Sequence, residues 1–142
     1  MTAPARPSAV GAPAYSQSFR RVPESAARVR QTVRTALYTW HLPELADDAV
    51  LVASELATNA SDHARGRVFR FTVMRISESR VRLVCSDKSS VQPMRKDATP
   101  NEECGRGLAV IAGFSETWGV ERKKWGKRVW AELEVRPCPA SH

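Results

Sequence analysis

Residues 55 to 64 read Glu-Leu-Ala-Thr-Asn-Ala-Ser-Asp-His-Ala. On a helix turning about 100° per residue, Glu55 and Asn59 lie roughly 40° apart and His63 as far again, while Leu51, Val52 and Leu56 of the same helix supply core contacts. A carboxylate, an amide and an imidazole therefore share one stripe beside an apolar surface. Such a stripe suits a hard cation like Mg²⁺, which takes a few protein oxygens and fills its shell with water and phosphate. A helix face turned to solvent carries the same residue types, so this segment by itself leaves both readings open.

A second segment, Glu103-Cys104-Gly105-Arg106-Gly107-Leu108-Ala109-Val110-Ile111, sets two glycines around an arginine just before an apolar helical run. Glycine lets backbone N–H groups approach an anion, and a helix starting at Gly107 or Leu108 would turn its positive dipole end the same way. Those features make a phosphate cradle or an ordinary glycine turn, since a lone Gly-x-Gly lacks the remainder of any dinucleotide or P-loop fingerprint. The third element is Asp87. In Val81-Arg82-Leu83-Val84-Cys85-Ser86-Asp87 the odd positions form the inward face of a strand, which puts a carboxylate where an apolar residue belongs. A buried carboxylate needs a donor, either a nearby backbone amide in the turn 88–90 or a ligand with an exocyclic amine.

In this order and at these spacings the three segments resemble the nucleotide-binding boxes of the GHKL superfamily, the ATPase fold of histidine kinases, gyrase and Hsp90. Among its members the chain looks most like the small stand-alone anti-sigma-factor serine/threonine kinases. Glu55 to Ala64 matches the N box, Asp87-Lys88-Ser89 with Pro93 the adenine-binding box, and Gly105-Arg106-Gly107-Leu108 the second glycine box; residues 125–133 resemble the family's closing strand. The resemblance covers about residues 16–136. It implies ATP and Mg²⁺ as cofactors, with Mg²⁺ on Asn59, Glu55 as general base or water-positioner, and Asp87 accepting from the adenine amino group. By the same resemblance His63, Ser89, Gly105, Arg106, Gly107 and Leu108 line the nucleotide. Two positions depart from the family pattern: Ser89 stands where the wider superfamily has Gly, and Arg128 where relatives commonly have Thr.

The chain order predicts an α/β (α+β) two-layer sandwich, a mixed and mostly antiparallel sheet covered on one face by helices, which is also the Bergerat fold that the resemblance implies. Residues 1–15 read as a flexible Pro-rich tail, 16–136 as one ATP-binding domain and 137–142 as a second tail. Within the domain the expected elements are a strand at 16–22, helices from Pro23 to Trp40 and from Asp47 to Ala64, and strands at 68–76 and 80–87. A polar lid follows at 88–103, then a helix from Gly107 to Phe114 and strands at 116–121 and 128–135.

With 142 residues, 42% of them apolar, the chain has material for one core. No stretch reads as a membrane span or a secretory signal, so a cytoplasmic location is expected. Three scattered cysteines argue against a disulfide framework and a structural zinc site. The net charge of +7, with arginines at 20, 21, 28, 30 and 34 and a basic cluster around Trp125, raises nucleic acid as an opposing partner. No helix-turn-helix, zinc-finger or RNA-recognition signature accompanies that charge, so nucleic acid is disfavoured. The expected function is an Mg-ATP-dependent protein kinase acting on a sigma factor, an antagonist of the anti-anti-sigma kind or another transcription regulator, with a homodimer compatible. The alternative is a catalytically inactive, nucleotide-gated binding protein.

Overall fold

The apolar spacing of residues 24–63 builds two helices that share one core. The computed structural model describes residues 6–7, 13–63, 67–88 and 102–136, without the side chains at 6–7, 61–63 and 102–107. Helix α1, Glu24–Thr39, starts behind Pro23 and buries Ser25, Val29, Thr32, Val33, Ala36 and Leu37, a run of i, i+3 and i+4 steps. Its two buried hydroxyls are satisfied locally: Ser25 Oγ donates to the Arg20 carbonyl at 2.6 Å, and Thr32 Oγ1 to the Arg28 carbonyl at 3.0 Å. The helix ends with His41 at φ 61° and a bond from the Leu42 amide to the Leu37 carbonyl, the left-handed C-terminal wrap usually made by glycine.

After a 3₁₀ turn at Pro43–Leu45, helix α2 spans Ala46–His63. Its buried positions are mostly small, Ala46, Ala49, Ala53, Ala57 and Ala60 around Val52 and Leu56, so α1 and the sheet can approach it closely. The third helix, α3, spans Glu102–Phe114 and packs on α2.

Among the described residues six strands complete the second layer: β1 Arg6–Pro7, β2 Pro13–Arg20, β3 Val68–Ser77, β4 Arg80–Asp87, β5 Thr117–Lys123 and β6 Gly126–Glu134. They lie in the order β1-β2-β3-β4-β6-β5, and every ladder is antiparallel, so the mixed pairing expected from sequence is absent among the described residues. β2 starts at Pro13, three residues before the expected strand, where it pairs with β1 through Pro7 and Arg6; Pro13 is the first residue of the strand, a position at which a missing N–H is tolerated. The expected tail at 137–142 lies outside the described residues, as does nearly all of the expected lid.

Alternation decides the faces. Phe19, Phe69, Phe71, Val73, Val81, Leu83, Cys85, Val129, Ala131 and Leu133 point under the helices and form one core with them. The intervening positions make an uncovered polar face. There the Arg80 guanidinium bonds both Glu132, at 2.7 Å, and Glu134, and Arg82 stacks 4.5 Å over the Trp130 ring. Hydrogen bonds from Arg80, then Ser79, hold the Glu134 carboxyl below the ordinary carboxylate range. Its contribution to stability is thus complete at neutral pH and fades as the pH falls through that lowered value. Among the described residues no helix is long and apolar enough to cross a membrane.

Candidate functional site

Chain connections bring the three sequence motifs to one end of the sheet. Only four residues separate His63, the end of α2, from Val68, the start of β3, so α2 finishes within about 18 Å of that strand end. Phe69 pairs with Asp87, which puts the last residue of β4 at the same end. α3 finishes at Phe114, and β5 begins at Thr117 opposite Glu132, far along β6 from the Asp87 end. Its last residues, Gly113 and Phe114, lie beside Asp48 at the start of α2 and the two helices pack together, so over its roughly 20 Å α3 starts from the carboxyl half of α2. The carboxyl half of α2, the end of β4 and the amino end of α3 thus converge.

Asp87 is the sole charged residue in the buried set of the described residues, 5% exposed, in the row that otherwise holds Val81, Leu83 and Cys85. The inward position expected from the alternation is therefore the one it occupies. Burial, and secondarily the charge of Asp87, pushes the neighbouring Cys85 thiol far up, so that thiol is inert near neutral pH. Glu55 and Asn59 are half-buried on α2, on either side of the buried Leu56 and Ala57 and of Ala60, and neither side chain has a hydrogen-bond partner among the described residues. Both are placed to take a ligand without breaking an existing contact. No three carboxylate, imidazole or thiol groups converge among the described residues. A cation here would draw most of its ligands from phosphate and water, the coordination Mg²⁺ prefers.

Two expectations change. α3 begins at Glu102, five residues ahead of Gly107, so Gly105, Arg106 and Gly107 lie inside its first two turns and form no preceding loop. Glu102 and Glu103 favour this earlier start, because acidic side chains stabilise the positive end of a helix. In an α-helix the first four amides are free, which leaves Gly105 as the last free donor and assigns those of Arg106 and Gly107 to the helix ladder. Leu108, expected to line a ligand, is partly buried and packs against the core. Ser89 lies outside the described residues, as do the side chains of His63 and Arg106.

Arg128 provides the second change. It pairs with Ser86 and faces the uncovered side, where it reaches Glu121 at 3.2 Å and lies 5.9 Å over the Trp125 ring. It is therefore outside the Asp87 environment altogether. The residue across from Asp87 is Lys127, in the alternation of Val129, Ala131 and Leu133 and so on the covered face. Beside it, a Cβ on Gly126 would come 2.0 Å from the Asp87 carbonyl oxygen, at φ 157°. Only a glycine lets β6 start this close to the end of β4. Sequence reading passed over both residues, although stepping back by two from Val129 identifies Lys127 as inward-facing.

A hollow of about 590 Å³ lies at the opposite end, among Glu44, Asp48, Phe114, Glu116, Glu134 and Arg136. Four carboxylates against one guanidinium make it unsuited to polyphosphate.

A family model described as a histidine kinase-like ATPase domain matches residues 19–133, from the end of β2 into β6 and across all three motif segments. No curated protein matches the chain.

Proposed function

Because the chain belongs to the histidine kinase-like ATPase family, we propose that it is an Mg²⁺-dependent kinase of the anti-sigma-factor type, which transfers the γ-phosphate of ATP to a serine or threonine of a protein partner. ATP binding is what the family supports. The observation that carries the finer reading is the convergence of a buried Asp87, a half-buried carboxylate and amide on α2, and the amino end of α3 at one end of the sheet.

Each residue has a role its chemistry fits. Asp87 accepts a hydrogen bond from the adenine amino group, where guanine would present a carbonyl and repel it. Asn59 offers its amide oxygen to Mg²⁺, which when bound would neutralise phosphate charge. The free amides at the start of α3, up to Gly105, face the phosphates with the helix dipole behind them, and His63, Ser89 and Arg106 complete the expected lining. In the transfer, the partner's hydroxyl oxygen bonds the γ-phosphorus as the bond to the β-phosphate oxygen breaks, ADP leaves, and Glu55 takes the hydroxyl proton. The partner class is a sigma factor, its antagonist or another transcription regulator.

Calorimetry with ATP, ADP and GTP, with and without Mg²⁺, tests the reading. ATP is expected to bind with Mg²⁺ and GTP to bind more weakly; no nucleotide binding would defeat the proposal. In Asn59→Ala the Mg²⁺-dependent part of ATP affinity is expected to fall about tenfold or more while the fold survives, because alanine suits a helix. Unchanged Mg-ATP affinity in that variant removes Asn59 from the site. Asp87→Asn is expected to weaken ATP by about 1.5 to 3 kcal/mol, the worth of a hydrogen bond to a charged group, and to narrow the gap between ATP and GTP. Equal ATP and GTP affinity in the parent protein would deny Asp87 its role.

A further inference from the structure

The uncovered sheet face is not uniform in charge. Over most of it cations are matched: Arg80 and Arg82 by Glu132 and Glu134, and Arg128 and Lys123 by Glu121. At the Asp87 end the matching stops. Arg20, Arg67 and Arg70 are exposed there, and none has a carboxylate partner among the described residues. Two hollows meet at this place. One, of about 480 Å³, is bordered by Arg20, Arg21 and Arg67; the other, of about 270 Å³, by Arg70, the largely buried Asp87, Lys88 and Trp125. Val68, 45% exposed, borders both, and Trp125 is 43% exposed at the far rim, so two apolar surfaces lie within a basic groove.

We propose that this groove, at the Asp87 end of the sheet, docks a short acidic segment of a protein partner, with an apolar side chain of that segment seated against Val68 and Trp125. The inference rests on the protein-partner reading above, and not on phosphate transfer. Charge complementarity selects the occupant: the exposed Arg20, Arg67 and Arg70, none with a carboxylate partner among the described residues, border the groove, and the one acidic residue among the described lining, Asp87, is only 5% exposed. Size selects a peptide over a polynucleotide. From β2 to β6 the groove crosses three strand spacings, roughly 14 Å, which four or five extended residues fill. A nucleic-acid strand needs a longer cationic track with repeated stacking platforms, whereas here the adjoining face returns to matched charge and, of the two aromatics among the described lining residues, Phe69 is buried and Trp125 alone is exposed.

The test is fluorescence anisotropy of the full chain with a short labelled peptide of aspartate and glutamate carrying one leucine, beside labelled oligothymidylate, each over a range of salt. The peptide is expected to bind, to weaken as salt rises, and to lose about tenfold or more in the triple variant R20E/R67E/R70E. All three positions are exposed, so the thermal midpoint should stay near the parent value and shows that the variant is folded. W125A should weaken the peptide at high salt as well, since the apolar contact is not screened. Tighter binding of the oligonucleotide, no saturable peptide binding, or peptide binding unaltered in the triple variant each overturns the proposal. Peptide binding is read without nucleotide, so a failure of ATP binding in calorimetry is a separate result.

Discussion

Glu55→Gln is expected to leave ATP affinity near the parent value and to lower phosphate transfer to a cognate partner by roughly 10²- to 10⁴-fold, the range lost with a general base. The substitution keeps the size and polarity of a half-buried side chain on α2 and removes only its ability to take a proton. Binding and chemistry therefore separate in one variant. Single-turnover transfer of labelled γ-phosphate, alongside calorimetry of the same preparation, provides the two readings. Parallel loss of affinity and turnover would mean that Glu55 holds the nucleotide. Unchanged turnover would remove the residue from the chemistry, and a parent protein that transfers nothing to any co-encoded regulator would favour a nucleotide-gated binding protein.

Gly126→Ala is the second large effect, and it acts through the backbone. An added Cβ would meet the Asp87 carbonyl oxygen at 2.0 Å and the Lys88 Cα at 2.8 Å, both main-chain atoms that no rotamer change can move aside. Relief requires the β6 start to separate from the β4 end, on top of the strain of a positive φ. Together these cost about 3 to 5 kcal/mol. For a chain of this length the melting temperature should fall by roughly 10 °C, and ATP affinity should fall with it because Asp87 moves. Urea unfolding of parent and variant measures the difference; a loss below about 1 kcal/mol would be an ordinary substitution and would contradict this account of the contact.

Much of the fold was legible because its signals are periodic. The helical spacing from Ala26 to Leu37 and the alternation in residues 68–76 and 80–87 correspond to α1, β3 and β4 within a residue or two. Asp87 could be singled out for the same reason: a carboxylate in an otherwise apolar row is visible in one strand without knowing its neighbours. Helix starts were less legible. The glycines of 105 and 107 look like a turn to local rules, yet Glu102 and Glu103 together with packing on α2 extend α3 through them.

The sequence by itself determined the element types, the inward face of each strand, and the carboxylates and amide that form the candidate site, because side-chain periodicity and local polarity are properties of the chain alone. Only the tertiary structure decided which residues meet across strands. It set Lys127 and Gly126 against Asp87, turned Arg128 away from it to Glu121 and Trp125, and left Arg20, Arg67 and Arg70 without acidic partners among the described residues around Val68. Those relations depend on register between segments as much as 68 residues apart, from Ser18 to Ser86 across Arg70 of β3, and no local pattern encodes the register of strands so distant in the chain.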